Sequence, residues 1–266
     1  MLSTMSHSAK RIVRRVGTSS ARAAFIALLL SAAARAAGLP ADFVYLRDID
    51  PSIVQDMRYA GVDNFTGHPL PGYDAGECVL KREVAEALRK VQADLVRQNL
   101  GLVVYDCYRP ERAVAAFWRW ARAPEAPGAP TKRFYPALDK RDLFALGYIA
   151  AHSAHSTGNA VDLALVARDA PPVPAYDTRA RYGPCTAPAE ARAPDAALDF
   201  GTGFDCFDEK SFTANAAITP EQARRRTLLV AAMRRRGFHN YFREWWHFSY
   251  GTRGAYYDFP IPPRGR

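Results

Sequence analysis

The chain has no Cys-x2-Cys pair, no second long apolar run after residue 36, and no internal repeat. The first absence disfavours a cysteine-held zinc site, whose ligands come in such close pairs. The second excludes a bundle of membrane helices, each of which needs about 20 consecutive apolar residues. The third excludes solenoids and propellers. A nucleic-acid-binding signature is also missing. The chain carries a formal charge of +9, but six basic residues and no acid lie in residues 1–36, so the remainder carries +3. Arg234-Arg-Arg236 falls at a predicted helix end, where cations suit the helix dipole. No nucleic-acid partner is expected.

Residues 1–36 read as a secretory signal peptide. Lys10, Arg11, Arg14, Arg15 and Arg22 form a basic start, and Ala23 to Ala34 (AAFIALLLSAAA) is an apolar run of 12 residues. That run is too short to span a bilayer. Ala34-Arg-Ala36 supplies the small residues of a cleavage site. The remaining residues 37–266 suit one domain with a sizeable core. They are expected in the periplasm or secreted, with no stable membrane association after cleavage. Export makes disulfides possible. The four cysteines all lie in this part. Cys185 and Cys206 flank a Pro/Ala/Gly-rich loop, so Cys185–Cys206 with Cys78–Cys107 is the favoured pairing; two other connectivities and four free thiols stay open.

Periodicity supplies a coarse outline. Val84, Leu88, Val91 and Leu95 recur at helical spacing over 82–98. Leu102 to Tyr105 reads as a short buried strand. Pro110 opens a helix with a core stripe of Val114, Phe117, Trp118 and Ala121. Asp142 to Tyr148 suggests a short helix, and residues 167–203 a long proline-rich loop. Thr219-Pro-Glu-Gln222 carries the signals of a capped helix start. Tyr241 to Tyr250 reads as a last aromatic strand.

Two stretches carry chemistry: Ser153-Ala-His155-Ser-Thr-Gly158-Asn-Ala160-Val-Asp162 and Glu244-Trp-Trp-His247. His155, Asp162 and His247 are the ligand types of a three-ligand zinc site with a fourth position open, one Zn2+ per chain. Glu244 is suited to act as a general base there. Each half alone is a weak signal; together they are strong. Val161, Leu163 and Leu165 alternate with Ala160, Asp162 and Ala164, which predicts a strand with one apolar face and one face of small residues bearing a carboxylate. A carboxylate there is expensive unless paired or metal-bound. Residues three apart on a regular strand point to opposite faces. Glu244 and His247 can therefore share a site only if the backbone bulges near Trp245 and Trp246.

These motifs, with Tyr108-Arg109-Pro110, Asp63-Asn-Phe-Thr-Gly67, Pro71-Gly72-Tyr73, Phe204-Asp205-x2-Asp208 and Tyr257-Asp-Phe-Pro260, resemble the D-alanyl-D-alanine dipeptidases, which include the vancomycin-resistance dipeptidases. The resemblance covers roughly residues 43–261. It implies an α+β fold: a single domain, a central antiparallel sheet with surrounding helices, of the zinc D-Ala-D-Ala metallopeptidase type. It implies that His155, Asp162 and His247 hold zinc, that Glu244 is the base, and that Arg109 steadies the tetrahedral intermediate. Asp205 would hold the substrate's ammonium and Ser153 would line the pocket. The implied partner is the small dipeptide D-Ala-D-Ala. From the residues alone, Arg109 could instead pair with Asp106 or Glu111, Asp205 could cap a loop, and Ser153 could be a turn residue. Tyr59 and Tyr108 could line the pocket or simply pack; His68, His152 and His239 receive no role. A carboxypeptidase trimming D-Ala from stem peptides, and a non-catalytic zinc-stabilised wall-binding module, are the competing functions. The leader, the cysteines and the 170–203 loop depart from the compact cytoplasmic resistance form. They favour wall turnover or scavenging.

Overall fold

A computed structural model describes residues 38–252 and 254–264. The expected leader at 1–36 lies outside the described residues. Apolar patterning places most elements where the spacing predicts them. The strands are β1 (Phe43–Tyr45), β2 (Val54–Gln55), β3 (Val79–Lys81), β4 (Leu100–Asp106), β5 (Ala160–Ala167), β6 (Phe238–Asn240) and β7 (His247–Tyr250). The α-helices are α1 (Leu46–Ile49), α2 (Arg82–Val96), α3 (Glu111–Arg122) and α4 (Pro220–Arg234).

The fold is mixed α and β with two sheets. Five strands run in the order β2-β4-β5-β7-β6, and β1 pairs with β3 in a small antiparallel sheet. The large sheet is not purely antiparallel as expected. β2 pairs with β4 in parallel, Val54 opposite Val103. The chain between them makes a crossover through β3 and α2, and a crossover returns the strand in the same direction. The other neighbours are antiparallel.

Helix α2 buries the expected Val84, Leu88, Val91 and Leu95. It packs on β4, and α4 packs on β5 and α2. Strand β5 is central, and Ala160 to Val166 are all buried. Both its faces are covered: the apolar one of Val161, Leu163 and Leu165, and the small-residue one on which Asp162 stands between Ala160 and Ala164. In α3 the stripe is Ala113, Val114, Phe117 and Ala121. Trp118 instead stacks on Phe144 at 3.9 Å with the Arg122 guanidinium over it at 4.2 Å. Pro110 caps that helix instead of starting it. Of the short helix expected over 142–148, Asp142 only closes a 3-10 segment, Lys140–Asp142, and residues 143–148 form turns and a bend, because nothing in so short a stretch offsets the nucleation cost of a helix.

In the expected 167–203 loop, Ala167 still closes β5, and residues 168–203 are irregular except for one 3-10 turn, Ala189–Ala191. Arg58 ties it to the sheet: its guanidinium meets Asp56 at 2.8 Å, Asp63 at 2.5 Å and Asp195 at 3.3 Å. Tyr105 on β4 donates to the same Asp195 at 2.7 Å. Arg226 of α4 is buried and donates to the carbonyls of Phe200, Lys210 and Phe212, fastening the 200–212 segment to its helix. Disulfides join Cys78 to Cys107 and Cys185 to Cys206, with Cα separations of 5.3 and 5.4 Å.

Candidate active site

Three adjacent strands bring the site together. Asp106 on β4 sits opposite Asp162 on β5, and Asp162 sits opposite His247 on β7. His155 arrives from the 3-10 turn Ala154–Thr157, just before β5. Gly158 turns the chain from that segment into the strand at φ +76°, and a Cβ there would run into the Phe43 ring. Only glycine meets both demands without strain.

His155 Nε2, Asp162 Oδ1 and His247 Nδ1 converge. The two nitrogens lie 3.1 Å apart, and each lies 3.2 or 3.0 Å from the carboxylate oxygen. Tetrahedral ligands at zinc bond lengths of ~2.0–2.1 Å stand roughly 3.3 Å from one another, so the donor set fits that ion. His155 donates Nδ1–H to the Cys107 carbonyl at 2.7 Å, which leaves Nε2 as its free donor atom. Burial alone would push Asp162 up, but the two imidazoles hold it far below the carboxylate range. Burial likewise opposes a charged His247, yet Asp162's hydrogen bond and charge raise it.

Glu244 reaches the same point by a route other than the expected bulge. Residues 241–246 form the loop of a β6–β7 hairpin. Glu244 N–H donates to the Tyr241 carbonyl at 3.0 Å, and His247 N–H donates to the Glu244 carbonyl at 3.2 Å. The loop is seated by its tryptophans. Trp245 stacks on Phe200 at 4.2 Å and donates Nε1–H to Thr202 at 2.8 Å, while Trp246 packs edge-on against Phe204. Burying both indoles there breaks the ten-residue strand expected from Tyr241 to Tyr250. Glu244 Oε2 lies 3.7 Å from His247 Nδ1. Burial lifts the Glu244 carboxyl to about 7; His247 and Arg109 oppose the rise and the Asp162 charge adds to it. A cation bound beside it would bring that value down.

Arg109 lies over the rings of Tyr59 and Phe117, at 5.0 and 5.2 Å. Its Nε donates to Asp106 Oδ2 at 2.8 Å. The ion pair with Asp106 is thus present, and it aims the guanidinium into the cleft that Arg109 lines. Ser153 Oγ accepts from His155 N–H at 3.2 Å and from Arg109 Nη1 at 3.4 Å. Asp205 is 6% exposed, has φ +55°, and accepts from the Tyr59 hydroxyl at 2.7 Å. Burial and the Asp162 charge raise its carboxyl well above the ordinary range, against the hydrogen bond from Tyr59 and the charge of Arg109.

Asp106, Tyr59 and Tyr73 carry more of the site than the sequence suggests. Asp106 is wholly buried. It accepts from Tyr73 at 2.6 Å, supports Arg109, and stands 3.4 Å from His155 Nδ1. The signal available for it was a carboxylate closing an apolar strand. Tyr59 lines the cleft, whereas Tyr108 stacks on Phe259 at 4.1 Å away from it. His152 and His239 stand at the cleft margin, and His68 lies elsewhere. The cleft measures about 520 Å3.

Two imidazoles and a carboxylate converging at ligand distances, a second carboxylate alongside and a braced guanidinium are the layout of a metal-dependent peptidase centre. The profile of the D-ala-D-ala dipeptidase family matches residues 40–173 and 193–262, and the chain belongs to that family of peptidases. A D-alanyl-D-alanine dipeptidase of Enterococcus faecium is 33% identical over 222 residues, covering 82% of this chain and 98% of that protein. One from Streptomyces coelicolor is 33% identical over 83% of this chain and 98% of its own length. One from Escherichia coli is 29% identical over 81% of this chain and 88% of its own.

Proposed function

We propose that the protein is a zinc dipeptidase that hydrolyses D-Ala-D-Ala to two D-alanines outside the cytoplasm, in cell-wall turnover or scavenging. The observation that carries this reading is the meeting of His155, Asp162 and His247 beside Glu244, in a cleft that also holds the buried carboxylate of Asp205. The names of the relatives support the substrate. The disulfides support an oxidising compartment.

His155 Nε2, Asp162 Oδ1 and His247 Nδ1 would hold the zinc. When bound, zinc polarises the scissile carbonyl and makes water a usable nucleophile near neutral pH, with a pKa of ~7. Glu244 takes the proton from the attacking water and delivers it to the leaving amine. Arg109, held by Asp106, donates to the oxygen on which negative charge grows; one such donor contributes roughly 2.7–4 kcal/mol in comparable sites. Asp205 pairs with the substrate's free ammonium and Ser153 lines the same pocket. Among the described residues Asp205 accepts one side-chain hydrogen bond, from the Tyr59 hydroxyl, and forms no salt bridge, so a bound ammonium would offset the cost of its burial.

The test is hydrolysis of D-Ala-D-Ala and of its N-acetyl form by zinc-loaded protein. Cleavage of the free dipeptide alone is expected, because an acylated amine leaves Asp205 buried without its cation. Equal cleavage of both would move the reading to a carboxypeptidase of stem peptides, and cleavage of neither to a binding module.

A further inference from the structure

We propose that the two disulfides are positioning elements of the site, each fixing one half of it: Cys78–Cys107 the metal-binding half and Cys185–Cys206 the amine-binding half. This inference rests on the functional reading above.

Cys107 stands in the irregular stretch after β4, and its peptide groups aim two site residues. Its carbonyl accepts Nδ1–H of His155 at 2.7 Å and so turns Nε2 toward the other ligands. Its N–H donates at 3.0 Å to Asp106, whose other oxygen accepts from Arg109. This peptide is moored through sulfur to Cys78. Cys78 is itself pinned on both sides: its N–H donates to Gln55 Oε1 at 2.9 Å, and its carbonyl accepts from Leu46 N–H at 2.9 Å. Both cysteines are wholly buried. A ligand histidine held by a carbonyl is only as fixed as that carbonyl.

Cys206 directly follows Asp205, whose φ of +55° is a left-handed conformation that surrounding structure must enforce. Among the described residues, no backbone-to-backbone hydrogen bond involves Asp205 itself. The enforcement comes from its neighbours. Gly203 N–H donates to the Cys185 carbonyl at 2.9 Å, and Phe207 N–H to the Phe134 carbonyl at 2.8 Å. Ser211 donates to the Cys206 carbonyl at 2.7 Å, and the disulfide closes the set. Cys185 lies in residues 174–192, which the family profile passes over. The brace on the amine side therefore comes from a segment outside the shared family frame.

Two double variants of the full chain separate the halves: Cys78→Ala with Cys107→Ala, and Cys185→Ala with Cys206→Ala. Zinc affinity is measured by competition with a chromophoric chelator, KM and kcat with D-Ala-D-Ala at saturating zinc, and folding by circular dichroism. The first pair should weaken zinc roughly tenfold to a hundredfold, as loss of a ligand's supporting partner does, and lower kcat with KM held. The second should leave zinc affinity at its wild-type value and raise KM about tenfold or more, the scale set by a small misplacement of a positioning group. A bridge that only stabilised the fold would lower Tm in both variants and move neither zinc affinity nor KM. That outcome overturns the proposal. If an alanine pair does not fold, the same positions are replaced by Val with Ala to restore volume. A half whose bridge still cannot be removed without unfolding is a folding element, and the proposal fails for it. Wild-type protein that neither binds zinc nor cleaves the dipeptide removes the underlying reading, and this inference with it.

Discussion

His247 has two carboxylates near its Nδ1, and they differ in what removing them should do. Asp162 Oδ1 lies at 3.0 Å and Glu244 Oε2 at 3.7 Å. The nearer is placed to share a cation with the imidazoles and the farther to move protons. Glu244→Ala should therefore retain zinc by metal analysis and lose roughly 10²–10⁴-fold in kcat. His155→Ala should lose the metal itself. Near-normal turnover in Glu244→Ala would require another base. Asp205→Asn keeps the shape of the side chain and removes its charge. It should lower kcat/KM for D-Ala-D-Ala about a hundredfold, ~2.7 kcal/mol on the transition-state scale, in steady-state assays. Wild-type kinetics in this variant would show that the ammonium is held elsewhere. His155, Asp162, Glu244 and His247 were legible because their types and spacing are unusual in apolar surroundings. An Arg109–Asp106 pair and a Tyr59 in the pocket stood only as open alternatives, and the contacts of Asp106 with Tyr73 and of Tyr59 with Asp205 were not legible at all. The partners lie 33 and 146 residues apart, and one sequence does not reveal such pairings.

Among the elements, α4 shows local chemistry at its most readable. Thr219 and Gln222 form the reciprocal cap that their spacing predicts, donating and accepting across the first turn. The same Gln222 reaches Asp199 with its Nε2 at 2.6 Å, a contact with no local signature. Burial would raise the Asp199 carboxyl, but Gly201 N–H, Gln222 and Arg192 together hold it below its ordinary 3.8. A carboxyl depressed by folding stabilises the folded state above its unfolded pKa, and the benefit is lost as pH falls through the folded value. The stability gap between wild type and Asp199→Asn, measured by urea unfolding, should be constant near neutrality and shrink below about pH 4. A gap that widened with acid would contradict the assignment. The β6–β7 hairpin was less readable. Tyr241 to Tyr250 has the composition of one strand, and only the docking of Trp245 and Trp246 against Phe200 and Phe204 shows why it folds back.

For the whole molecule, the mixed α and β class followed from the family resemblance and most of the helix stripes from periodicity, whereas the path of residues 167–203 followed from neither. That segment is held by Asp195 on Arg58 and Tyr105 and by Cys185, contacts made at long range between polar groups without a period. The leader remains an expectation of the sequence. Expression of the full chain in a bacterial host should give an extracytoplasmic protein whose N-terminus, read by mass spectrometry, begins near Ala37; a full-length cytosolic product would overturn the export reading. The row Asp106, Asp162 and His247 has a consequence for how the chain reaches its native state. His155 and His247 are 92 residues apart in sequence, and Asp162 and His247 are 85 apart. Contacts of that span are slow to form, because the loops they close must be ordered before the pairing rewards it. In the proposed zinc reading the ion would therefore have no complete cage in a partly folded chain, unlike the ion of a zinc finger. Its stabilisation would come at the end, by mass action on the finished sheet, and would mark molecules that have completed the journey.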